Sequence, residues 1–109
     1  GSTGTAQNLT SISLTAGDWD VWGQVGGEIT GGFLTALDSG ISTTSATLPA
    51  LELRTQMPFP AATLTLSISP VPYQRLSLSG TTTVYMIIRE YFSAGTATMF
   101  GGIYARRAR

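Results

Sequence analysis

Asp18 and Asp20 stand two residues apart in Gly17-Asp18-Trp19-Asp20-Val21 and are the only closely spaced carboxylates in the chain. Alternate residues of an extended strand share a face, so these two lie roughly 6 to 7 Å apart on one side. That spacing suits two chemistries: oxygen ligation of a calcium ion with help from Glu28, or an acid and base pair for glycoside hydrolysis. Neither is the favoured reading. A calcium loop spaces its ligands around glycine, which this segment does not do, and a glycosidase needs surroundings that push one carboxyl pKa away from the other. The expected role is a solvated polar face with Asp18 closing a turn. The chain also has no His, Cys or Lys, so the commonest general base, the thiol nucleophile, a structural zinc site and a disulfide are absent together. We expect no enzyme activity, no catalytic residues, no metal and no cofactor.

The remaining polar candidates are basic. Arg106, Arg107 and Arg109 could meet the phosphates of lipopolysaccharide, but three charges near a terminus read more simply as a solvated tail. Six Arg balance six acidic residues, leaving no net field to attract nucleic acid or an anionic membrane. Neither partner is expected. Arg89 and Glu90 point to opposite faces of one strand, so each must find its partner elsewhere. Among aromatic and soft side chains, Trp22, Phe33, Met57 and Phe59 fall nearest solvent or loops, where sugar stacking or protein recognition could occur. Packing in a core or an interface is the competing reading for each.

The elements that must position these groups are strands. Of 109 residues, 17 are Thr, 11 are Ser and 13 are Gly, while only 11% are charged, a composition that favours strands and turns over helices. After a small polar lead-in over residues 1–7, in which Gly1-Ser2 reads as a tag remnant, Asn8 to Leu14 is expected to be a strand. A turn at Thr15-Ala16-Gly17 follows. Beyond it Trp19, Val21, Gly23 and Val25 share one face and Asp18, Asp20, Trp22 and Gln24 the other. Gly26-Gly27 suggests a bulge, Glu28 to Leu37 a short helical turn, Asp38-Ser39-Gly40 a turn, and Ile41 to Leu48 a strand. Pro49, Pro58 and Pro60 make the next stretch irregular or confine it to an edge. Leu64, Leu66 and Ile68 alternate with Ser and Thr up to Pro70-Val71-Pro72, which should end that strand; Gln74 to Ser79 is the next.

Thr82 to Phe92 is a long strand with two apolar faces: Val84, Met86, Ile88 and Phe92 on one, Tyr85, Ile87 and Tyr91 on the other. A two-layer sandwich uses one such face, so the second is expected to meet another subunit. Thr98 to Arg106 closes the series. No apolar run is long enough to cross a bilayer as a helix, and no export signal is recognisable.

Two segments carry a family resemblance: Asn8-Leu9-Thr10-Ser11-Ile12-Ser13-Leu14-Thr15-Ala16-Gly17-Asp18-Trp19-Asp20-Val21, and Leu76 to Tyr85 followed by Phe100-Gly101-Gly102-Ile103-Tyr104-Ala105-Arg106-Arg107. They resemble the tip domains of bacteriophage tail fibres, tail needles and head fibres. The resemblance covers the two ends, about half the chain, and leaves Gly27 to Pro72 unmatched. It implies a trimeric jelly roll similar to the tumour necrosis factor head, carried on a fibrous stalk or another virion protein, made in the bacterial host cytoplasm and incorporated into the virion.

The expectation is therefore an all-β jelly-roll sandwich of about eight antiparallel strands, forming one domain over residues 8–109. It would act as a homotrimer that attaches to a host-surface glycan or protein through multivalent binding. Tyr85, Ile87, Tyr91, Phe100 and Tyr104 are the expected trimer interface, and Trp22, Met57 and Phe59 the expected receptor contacts. The alternative is a structural part, either a trimerisation cap or a capsid decoration protein.

Overall fold

Runs of Val, Ile, Thr and Tyr with period-two alternation lay the chain out as strands, with no α-helix among the described residues. A computed structural model describes residues 5–31, 34–49, 53–58, 66–92 and 95–108. Its strands are β1 (Gln7–Leu14), β2 (Gly17–Thr30), β3 (Leu34–Ser42), β4 (Arg54–Pro58), β5 (Leu66–Leu78), β6 (Thr82–Phe92) and β7 (Thr96–Arg107). They form two antiparallel sheets, ordered β1-β6-β3-β4 and β5-β2-β7. The expected all-β sandwich is the observed architecture, with seven strands among the described residues.

Inward-facing residues from both sheets make the core. Val84, Met86 and Ile88 of β6, with Leu37 and Ile41 of β3, pack against Val21, Val25 and Ile29 of β2, and Leu14 and Val71 close the ends. All ten are buried, each gaining about 1.5–3 kcal/mol relative to exposure. The alternation expected for β2 and β6 is therefore the one that builds the core.

Several expected turns prove to be strand interior. Asp38-Ser39-Gly40 lies in the middle of β3, where all three residues are buried. Long-range partners override the turn chemistry: Arg89 donates two hydrogen bonds to Asp38 Oδ2, at 3.0 and 2.6 Å, and the Pro49 ring covers Gly40. No helical turn is present over the described part of residues 28–37, which continue β2 and begin β3. Gly26-Gly27 stay in the ladder, and the bulge falls between Val21 and Gly23 opposite β5. β5 itself runs through Pro70 and Pro72. It is an edge strand paired only to β2, where a missing N–H can face away from the ladder. Ile41 to Leu48 is strand only as far as Ser42.

The segment after β3 explains a further difference. Ile87 is fully buried in the single chain, although it faces away from the core cluster. Its Cα partners are Asn8 and Gly40. Asn8 donates to Ser45 Oγ at 2.8 Å and accepts from the Ala46 N–H at 2.7 Å, while Pro49 and the Leu53 carbonyl press on Gly40. This cover on the outer face of β6 is a correction to Ile87 as an interface residue.

Candidate functional site

The outward face of the β5-β2-β7 sheet collects most of the exposed large apolar side chains among the described residues. β2 is the central strand, and its outward residues are Asp18, Asp20, Trp22, Gln24, Gly26 and Glu28, because Val21, Val25 and Ile29 face the core. Asp20, Gln24, Gly26 and Glu28 have register partners on both neighbouring strands, Trp22 on β7 and Asp18 on β5. Trp22 pairs with Tyr104, Gln24 with Pro70 and Gly102, and Gly26 with Ile68 and Phe100. Tyr73 enters beside Trp22 at the bulge. Exposure is 40% for Trp22, 59% for Ile68, 54% for Tyr73, 40% for Phe100 and 50% for Tyr104. All five lie on one sheet face, and exposed apolar groups gathered in this way are a feature of contact surfaces.

Local sequence shapes this surface. Gly26 leaves room for the Phe100 ring to lie over the strand, since a Cβ there would meet that ring. The Trp22 and Tyr104 rings stack with centroids 6.2 Å apart and planes 29° from parallel, an offset arrangement favoured by ring quadrupoles. Tyr104 also reaches over Gly102, filling the space its missing side chain leaves.

One end of the same face is charged. The Tyr73 hydroxyl donates to Asp20 Oδ1 at 2.5 Å, and Ser77 donates to Asp18 Oδ1 at 2.6 Å. Arg75 stands 3.8 Å from Asp18 and 3.9 Å from Asp20, and Arg106 lies 3.5 Å from Asp20. The Tyr73 hydroxyl, with the two guanidiniums, holds the Asp20 carboxyl below its ordinary 3.8, and the same hydrogen bond raises the Tyr73 phenol above 10.0. A carboxyl held ionised in this way is unsuited to act as a general acid. Asp18 and Asp20 share a face as expected. Glu28, however, lies eight residues along β2 from Asp20, about 26 Å at strand spacing, and cannot join them at one ion. Among the described residues no three metal-ligating side chains converge.

The expected interface residues do not form one patch. Phe100 and Tyr104 belong to the face just described, whereas Tyr85, Ile87 and Tyr91 lie on the outward face of the other sheet. The reason is topological: the chain crosses from one sheet to the other between β6 and β7. Tyr91 is 36% exposed there, with the Arg89 guanidinium 5.6 Å from its ring centre. Of the expected receptor contacts, Trp22 joins Tyr104. Met57 pairs with Leu37 through the backbone of edge strand β4, and Phe59, like Phe33 and Arg109, lies outside the described residues. Arg107 does not form a free basic tail with Arg106: its guanidinium lies 4.6 Å from the Trp19 ring centre and donates to Thr15 Oγ1 at 2.7 Å and to the Ala16 carbonyl at 3.2 Å.

Ile68 and Tyr73 were not among the expected site residues. Period-two alternation set Ile68 apart from its Ser and Thr neighbours without saying which way it faces, and its pairing opposite Gly26 turns it outward. No family model, curated protein or solved structure matches this chain.

Proposed function

We propose that this chain is a non-catalytic, self-associating β-sandwich: a homotrimeric head on a virion appendage that attaches to the host surface. The observation carrying the assembly is the clustering of Trp22, Ile68, Tyr73, Phe100 and Tyr104 on one outward sheet face. Subunit contacts favour such surfaces, with aromatic residues at the centre and charges such as Asp20, Arg75 and Arg106 at the rim. The contacting set is thus revised to the outward residues of β5, β2 and β7. Attachment is supported by the resemblance of the two terminal segments to phage fibre tips, and three equivalent weak sites on one head would gain strength through effective concentration.

A second reading, a trimerising cap with no receptor of its own, is favoured by one observation: Trp22, an expected receptor contact, stacks with Tyr104 inside the proposed assembly face.

Light scattering at micromolar concentration tests the assembly. A mass near three times 11.4 kDa is expected, and a mass near one chain refutes it. Binding of the trimer to host cells or a glycan array separates a head that attaches from one that only caps.

A further inference from the structure

Glu90 is an acid in the wrong medium. It lies on the inward side of β6, two residues beyond Ile88, and its Cα partner on β3 is the core residue Leu37. Its side chain is fully buried, and no other residue supplies either carboxylate oxygen with a hydrogen-bond partner. Ser39, diagonal to it across the β3–β6 ladder, is also fully buried with an unpartnered hydroxyl. A buried carboxylate without a donor or cation is among the costliest groups a core can hold, whereas a neutral carboxyl costs far less.

No described charge rescues it. On its own strand Arg89 faces the opposite way and is held by Asp38, which occupies the outward side of β3. Arg54 of β4 is turned to the Pro49 carbonyl. From the facing sheet, Asp18, Asp20, Glu28, Arg75 and Arg106 point outward, and Arg107 sits on Trp19 near the far end of β6. Its rung partner Leu37 and the diagonal Ser39 are both buried and uncharged.

We propose that Glu90 is a proton-operated latch on the β3–β6 ladder. With its proton the carboxyl stays inside and the ladder is closed; when the proton leaves to solvent, the ladder opens beside Leu37 so that water can reach the carboxylate. Burial also pushes the Glu90 pKa above its ordinary 4.5. A raised folded-state pKa adds stability that is complete below the unfolded value and is lost as pH rises through the folded value. The fold is accordingly set to be tightest in mildly acidic surroundings.

The test is the melting temperature of the full chain from pH 4 to 8.5, with amide exchange of β3 and β6 corrected for intrinsic rates. The wild type should lose at least about 5 °C on going up in pH, with faster exchange around Leu37 and Glu90. Glu90→Gln should flatten both profiles. If that variant fails to fold, Glu90→Leu, an apolar replacement, should fold and be equally flat. Asp38→Asn should keep the wild-type slope, because Asp38 lies on the other face. A wild type with no fall in melting temperature, or a Glu90 variant with a parallel profile, overturns the proposal.

Discussion

Gly26 and Phe100 are register partners on β2 and β7, and the Phe100 ring occupies the space that a Cβ at position 26 would need. The ring is the mobile member of this pair. A side chain at position 26 would swing Phe100 off the sheet and roughen the aromatic face while leaving the backbone in place. If the chain assembles as proposed, Gly26→Val is expected to reduce the scattering mass from three chains to one while shifting the melting temperature by no more than a few degrees. A trimer that survives this substitution would remove the β5-β2-β7 face from the assembly.

Gly23 gives the opposite result. A Cβ there would collide with the Gly102 carbonyl oxygen and with Met86 Cε, so main chain and core would both have to move. Gly23→Ala should destabilise the fold by about 2 kcal/mol or more, measured by urea unfolding. A variant as stable as the wild type would show that β2 and β7 are less closely apposed than described.

The ion pair of Asp38 with Arg89, at 2.6 Å, is largely shielded on the carboxylate side. Asp38→Asn removes the charge that Arg89 donates to. The expected loss is about 2 kcal/mol, read from urea unfolding at neutral pH. An unchanged midpoint would mean that the β3–β6 ladder carries the middle of β3 without this pair.

Asp20 and Tyr73 make a prediction in pH. The lowered Asp20 pKa stabilises the fold above the ordinary carboxyl range, and that contribution is lost as pH falls through the lowered value. Removing the donor with Tyr73→Phe should move the Asp20 midpoint upward in a carbon-detected NMR titration. A midpoint that stays in place would assign the shift to Arg75 and Arg106 instead.

Strands whose alternation is uninterrupted were legible from sequence. Thr82 to Phe92 has the bounds of β6, and the Trp19, Val21, Gly23, Val25 face of β2 is the one that turns inward. Legibility failed where a distant partner decides the local conformation. Asp38-Ser39-Gly40 has the composition of a turn, yet Arg89, 51 residues away, and Pro49 hold it extended. Pro70 and Pro72 look like a strand end, but an edge position makes them tolerable. The aromatic face was visible only in parts. Trp22, Phe100 and Tyr104 stood out singly, while their convergence depends on the pairing of β2 with β7, which no local pattern encodes. Glu90 was read correctly as opposite to Arg89, but nothing nearby marks that side as the core.

The pairing pattern also fixes when the molecule can finish folding. β1 and β2, adjacent in sequence, do not pair with each other: β1 waits for β6, and β2 for β5 and β7. The Arg107 side chain then ties the last strand to Thr15, 92 residues earlier. During synthesis the first 30 residues therefore leave the ribosome with their ladder groups unmatched, and closure of such distant contacts is slow because loop entropy must be overcome before any pairing repays it. The nascent chain spends that interval as exposed, hydroxyl-rich β-forming segments. With only 11% of its residues charged, it has little repulsion to keep such segments apart until β7 arrives.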